Sequence, residues 1–303
     1  MMGAAPRARA ECEWPPAVLE ATGTPVTAMR LSGAGGPGSF RVEGPRGAIV
    51  YKRGVPAREL AWHRWCAPRA AALAAAGCWT APLVASGAGP HPWLALAWAG
   101  EPLPRDRWGT APVLAALAAW HRAGALWDGS LDDAYPFAWD DALTGDALAA
   151  LPASGRAAVG EAWERGAEVA QRDLFAPLGE AIHGDPNPTN WLVAADGPES
   201  RLVLVDWARP GRAHPAIDVA IALPGLPTWE RAGEAAEAYL AARPEVHRPD
   251  ADAWTRRILL AKLWSAVEFL AMATRAELSP DADAALAFLR EDLPEWSKSQ
   301  LGS

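Results

Sequence analysis

Apolar residues change their rhythm along this chain. Up to about Trp98 they fall in short runs broken by turn formers, and from Thr110 onward they recur mostly at helical spacing. The early runs predict five strands, Val26 to Leu31, Phe40 to Val42, Ala48 to Lys52, Val84 to Ser86 and Trp93 to Trp98. Pro15 and Pro16 open a short helix through Glu20. Pro56 opens another, which Pro68 interrupts before it resumes to about Ala76. Further on, Thr110 caps a helix whose Val113, Leu114, Leu117, Trp120 and His121 share one face until Asp128-Gly129 stops it. Helices follow at about Arg156 to Gln171, Thr228 to Ala242 and Ala251 to Ala276, with Tyr135 to Asp141 as an aromatic and acidic loop. Residues 1–13 read as disordered.

One segment breaks the helical rhythm. Trp191 to Ala194 and Leu202 to Val205 are strand-type runs around the turn formers Ala195-Asp196-Gly197-Pro198-Glu199-Ser200, and they predict an antiparallel hairpin. A register symmetric about the turn sets Asn190 opposite Asp206, with Cα atoms roughly 5 Å apart. The entering chain carries His183 and Asp185 in a loop stiffened by Pro186 and Pro188. Two carboxylates and an amide oxygen then converge at one strand end, a hard-oxygen set suited to a magnesium ion that keeps some of its waters. A metal site of His183, Asp185 and His214 is disfavoured, because magnesium avoids imidazole.

Composition narrows the class. The chain has 303 residues, half of them apolar at 50%, which is enough for a large core and rules out global disorder. A net charge of −8 argues against a nucleic-acid surface and favours cationic ligands. Cys12, Cys66 and Cys78 form no metal motif, and three sparse cysteines fit reduced thiols in a cytoplasm. With no signal peptide and no run of about 20 apolar residues, the expectation is a cytoplasmic protein without a membrane partner. Of the 17 tryptophans, most belong to the core and a few could line a pocket.

His183-Gly184-Asp185, Asn190 five residues after the Asp, and an apolar strand ending in Asp206 resemble the catalytic core of the aminoglycoside phosphotransferase and choline kinase superfamily. The resemblance covers roughly Val26 to Gly225 and is strongest over His183 to Asp206. It implies an α+β, protein-kinase-like two-lobed fold: an antiparallel sheet with one main helix over 1–98, then a mostly helical lobe over 99–303. It implies transfer of the γ-phosphoryl group of ATP, or GTP, to a hydroxyl of a small molecule. Asp185 would be the base and Asn190 and Asp206 the magnesium ligands. Lys52 would grip the nucleotide phosphates, with Glu59 close enough to pair with it. His183 and Asp218 would support the catalytic loop, and the segment around Leu96 to Trp98 would offer backbone groups to the purine.

The glycine segment 32–39 satisfies G-x-G-x-x-G at Gly33, Gly35 and Gly38. A dinucleotide site needs a helix there, and Gly44, Pro45 and Gly47 break one; a Walker loop needs Lys and Ser or Thr that Ser39-Phe40 does not supply. A hairpin whose glycines cover phosphates fits the strands. Trp264 and Glu268, four apart on one helix, could frame a cationic ligand with Trp229, Glu230 and Glu234. The leading acceptor is therefore a cationic aminoglycoside-type compound, with choline-like amino alcohols and sugars behind it, acted on by a monomer or dimer. A kinase-shaped binding protein without catalysis and a magnesium-dependent hydrolase are the alternatives.

Overall fold

The computed structural model describes residues 14–24, 26–31, 38–125, 127, 134–175, 179–194, 201–243, 250–275 and 282–302. Gly33, Gly35, the turn 195–200, Asp128-Gly129, Cys12 and the expectation for residues 1–13 lie outside them.

Helix α1 (Pro16–Thr22) starts on a proline, which needs no amide partner in a first turn. Five strands follow, β1 (Thr27–Arg30), β2 (Ser39–Gly44), β3 (Gly47–Arg53), β4 (Leu83–Gly87) and β5 (Trp93–Ala97), in the spatial order β1-β2-β3-β5-β4. All neighbours are antiparallel. Strand alternation decides what each face of β3 carries. Ile49 and Tyr51 pack with Val42 and Ala95 against Val18 of α1, while Lys52 takes the other face, toward helix α2 (Ala57–Cys66). Helix α3 (Ala70–Ala75) continues beyond Pro68, as the proline break predicts.

The remainder is mostly helical: α4 (Ala111–Gly124), α5 (Asp141–Ala150), α6 (Ala153–Val169), α7 (Ala216–Ala222), α8 (Trp229–Ala241), α9 (Ala251–Thr274) and α10 (Asp283–Leu301). Helix α9 is apolar on nearly every side, with Trp254, Ile258, Leu259, Leu263, Val267 and Leu270 all buried. Such a helix belongs at the centre, and α5, α7, α8 and α10 surround it. Short strands join this part, with β6 (Glu101–Pro102), β8 (Trp191–Ala194) and β9 (Arg201–Leu204) in one sheet and β7 (Glu180–Ile182) with β10 (Gly211–Ala213) in another.

Helices α5 and α10 were not expected. Asp140 caps α5 by accepting from Ala142 N–H at 2.8 Å, in a stretch read as loop up to Asp141. In α10 the apolar residues Leu286, Leu289, Leu293 and Trp296 keep helical spacing, although Pro294 lies inside. Gly155 of α6 makes room for that proline: a Cβ there would stand 2.5 Å from Pro294 Cγ.

The hairpin register differs by one from the symmetric expectation. Trp191 pairs with Leu204, so Asn190 faces Val205, whose N–H bonds the Asn190 carbonyl at 3.0 Å. The reason is burial. This register seats Trp191 and Leu204, both 0% exposed, opposite each other, and a one-residue slip would turn one set outward.

Candidate active site

Strand β7 delivers the loop that begins at His183. Asp218, at the start of α7, accepts hydrogen bonds from His183 N–H at 2.7 Å and Gly184 N–H at 2.8 Å, one on each oxygen. The expected supporting role for Asp218 thus has a geometry. Gly184 holds φ +82°, and a Cβ there would stand 2.3 Å from the Arg209 carbonyl, so only glycine fits. His183 Nδ1 accepts from Asp185 N–H at 3.1 Å, which leaves Nε2 to donate to the Val205 carbonyl at 3.0 Å. The imidazole therefore ties the loop to the end of β9. Burial pulls its pKa down to about 4, so the ring is neutral and works as a brace.

Asp185 sits in the bend that follows. Asn187 Nδ2 donates to its Oδ1 at 2.9 Å, and Asn190 Nδ2 donates to its carbonyl at 2.8 Å. Burial pushes the Asp185 carboxyl up to about 7, against the opposing pull of Arg209. A carboxyl poised near neutrality suits a group that takes up a proton.

Asp206 follows β9 with φ +64°, a left-handed backbone that costs a non-glycine residue roughly 1–2 kcal/mol. That bend takes Asp206 out of the ladder, and its Oδ1 meets Lys52 Nζ at 2.7 Å. Lys52 also donates to Glu59 Oε1 on α2 at 2.6 Å. Burial works to lower the Lys52 pKa, but the two carboxylates outweigh it and raise it. Asp206 is lowered: burial opposes its charge, and the Lys52 ammonium prevails. The predicted Lys52–Glu59 pair is therefore present and extends to Asp206.

Among the described residues no donor reaches Asp206 Oδ2 or Asn190 Oδ1, so two hard oxygens remain for a cation. No cluster of three His, Cys, Asp or Glu side chains among the described residues forms a complete metal cage there. The donor set fits a magnesium ion completed by phosphate oxygens and water.

Beyond Asp206 the chain continues with Trp207. Its ring stacks on Trp62 of α2 with centroids 4.1 Å apart, and His183 lies against it at 4.3 Å. Next to these, Arg58 Nε donates to the Ala208 carbonyl at 2.8 Å, so adjacent residues of α2 hold Lys52 and the segment after Asp206.

Several expectations need correction. Trp264 is 1% exposed and donates its Nε1–H to the Ala138 carbonyl at 2.8 Å, so its ring is core and unavailable to a ligand. Glu268 is taken by an internal cation: Arg209 is ion-paired with it, and Tyr135 O–H donates to its other oxygen at 2.7 Å. Trp229 packs at the start of α8 with its N–H on Gln300, Glu230 is exposed, and Glu234 pairs with Arg231 at 3.0 Å. At the proposed purine edge, Leu96 is a buried residue of β5, which lies between β3 and β4, and Trp98 N–H is already bonded to the Ala48 carbonyl at 3.2 Å. The Trp98 ring lies under the Arg41 guanidinium at 4.1 Å. Gly38 closes the β1–β2 connection, where a Cβ would meet the Arg53 carbonyl at 2.7 Å.

Sequence reasoning missed Arg209, Tyr135 and Asn187. Arg209 lies over the Tyr135 ring at 4.1 Å, with Arg58 at 5.1 Å from that ring. Only Asn187 carried a signal, the Asn-x-Thr turn in which it accepts from Thr189 N–H at 3.0 Å.

No family model and no curated protein matches the chain. Solved structures do. A spectinomycin phosphotransferase complex with ADP and spectinomycin aligns with TM-score 0.62 and 12% identity, over 93% of this chain and 96% of that one. A microcompartment-associated aminopropanol kinase aligns with TM-score 0.60 and 16% identity, over 94% and 98%. An amicoumacin kinase aligns with TM-score 0.55 and 14% identity, over 88% of each chain. The chain has the fold of the kinase-like small-molecule phosphotransferases. At these identities the likeness is one of fold, and it agrees with the two-lobed α+β architecture expected from the motif. Within this kinase-like fold Lys52 and Glu59 come from the sheet-bearing part, Asp185, Asn190 and Asp206 from the helical part. Among the described residues no helix is long and apolar enough to cross a membrane.

Proposed function

We propose that this protein transfers the γ-phosphoryl group of ATP to a hydroxyl of a small molecule. The observation that carries the reading is the meeting of Lys52, Glu59 and Asp206 through bonds of 2.6 and 2.7 Å beside the loop of Asp185 and Asn190. A charge-rich constellation assembled from both halves of a kinase-like fold suits phosphoryl transfer, where catalysis is mostly positioning and charge stabilisation.

In this reading residues 1–98 and 99–303 act as two lobes that hold the nucleotide between them. Lys52, steadied by Glu59, orients the phosphates. Asp206 and Asn190 would hold magnesium, which when bound neutralises charge on the phosphate oxygens. Asp185 accepts the proton of the acceptor hydroxyl as its oxygen attacks in line with the departing ADP.

The acceptor is proposed to be a small amino alcohol or aminoglycoside-type compound. The net charge of −8 favours a cation, and proteins of this fold are named for aminopropanol and spectinomycin. Trp264 and Glu268 no longer support that choice, and exposed Glu230 with Trp229 is what remains of the original set.

The test is thermal shift with magnesium-ATP and magnesium-GTP, then coupled ADP release against amino alcohols, aminoglycosides and sugars. Nucleotide at a hundred times its Kd stabilises by about 2.7 kcal/mol, a visible shift. Stabilisation with acceptor-dependent ADP release supports the reading. No shift with either nucleotide would favour a kinase-shaped binding protein, and acceptor-independent phosphate release a hydrolase.

A further inference from the structure

A closed ring of hydrogen bonds, buried except at Glu180, runs from one end of β7 to the other. At the near end Glu180 takes Arg243 at 2.9 and 3.3 Å. Arg243 also donates to the Tyr239 hydroxyl at 2.9 Å, that hydroxyl lies 2.7 Å from His121 Nδ1, and His121 Nε2 lies 2.9 Å from Asp218. Asp218 then holds His183 and Gly184 at the far end. The links lie inside the protein: His121 is 1% exposed, Tyr239 and Asp218 0%, and Arg243 6%.

Donor accounting orients the ring at its Asp218 end. A carboxylate only accepts, so His121 Nε2 donates to Asp218; in the tautomer whose Nδ1 is bare, Nδ1 takes the Tyr239 proton while the Tyr239 oxygen accepts from Arg243. His121, on the α4 face expected to be simply packed, thereby fixes the rotation of the Asp218 carboxylate. That rotation matters because the two carboxylate oxygens must meet two consecutive N–H groups. Helix α4 runs close enough to β7 to make the hold firm, since a Cβ on Gly124 would stand 3.1 Å from Ala181 Cβ.

We propose that His121, Tyr239 and Arg243 are positioning residues that set the loop bearing Asp185 in its working place. The inference rests on the phosphotransfer reading above. None of the three touches Asp185. They act through Asp218, and a shift of an ångström at a reacting group is enough to slow a reaction by about a hundredfold.

The test compares wild type with Tyr239→Phe, which removes one oxygen, and uses His121→Asn where the first variant fails to accumulate folded. Hydrogen exchange over residues 180–185 is measured beside kcat, the KM for ATP and the melting temperature. The expected result is faster exchange confined to the His183 and Gly184 amides, kcat lower by roughly tenfold and KM within about twofold, as for loss of one buried hydrogen bond. Asp218→Asn combined with Tyr239→Phe should be no worse than Asp218→Asn alone. Wild-type exchange and kcat in the variant, or exchange raised evenly across the helical part, would overturn the proposal. A wild-type protein inactive with every acceptor defeats the phosphotransfer reading instead, and the exchange comparison still decides whether the ring holds the loop.

Discussion

Lys52 and Asp206 are 154 positions apart in sequence and 2.7 Å apart in space. That ion pair, shared with Glu59, is the strut between the sheet and the hairpin, and it decides how the site responds to change.

Lys52→Met should leave Glu59, 1% exposed, with no cation at 2.6 Å. Breaking a buried pair from one side costs about 3–5 kcal/mol, whereas replacing both partners by apolar groups is often neutral. Urea unfolding should therefore show a large loss in Lys52→Met and partial recovery in Lys52→Met/Glu59→Leu, which leaves only the more exposed Asp206 without its cation. ADP release should be lost in both, because neither restores a phosphate-binding cation. Equal stability in the two variants would contradict the strut.

Asp185→Asn should keep the fold and nucleotide-induced stabilisation while lowering turnover by roughly 10²–10⁴-fold. The wild-type carboxyl is pushed up to about 7 by burial, so it is protonated below that pH and free to act as a base above it. The rate constant kcat/KM should rise with pH through about 7, and a pH–rate profile checks it. A flat profile from pH 5 to 9 would remove Asp185 from the role of base.

Lys262 is buried on α9 and donates to the Leu223 carbonyl at 2.8 Å. Burial lowers its pKa from 10.5 to about 7. The folded state then binds fewer protons than the unfolded one between those values, so this group makes stability rise with pH across that window. Lys262→Met should be more stable than wild type near pH 6 and lose that part of the pH dependence. Denaturant unfolding at pH 6, 8 and 10 measures it, and parallel curves would refute the assignment.

Trp264→Ala should cost about 3–5 kcal/mol, the usual range for emptying a large buried aromatic site. Trp229, half-buried at the start of α8, should cost less on the same change. Melting curves of the two variants decide whether Trp264 is core or ligand wall.

The local signals in the sequence were enough for most of the elements, and the resemblance of the His183 to Asp206 motif implied the kinase-like fold. Turn formers between short apolar runs gave the five-stranded sheet, helical spacing gave α4, α8 and α9, and Asp185 with Asn190 five residues on marked the loop. These are short-range properties, set by residues a turn or a hairpin apart. The hairpin register was not among them, because pairing Trp191 with Leu204 answers to the core around them. Nor could spacing reveal that Arg209 neutralises Glu268, that Trp264 turns inward, or that His121 ends on Asp218. A periodic pattern says that a side chain is buried. Which distant group satisfies its charge or its hydrogen bond depends on elements meeting across 59, 97 or 154 positions, and only the packed tertiary structure settles that.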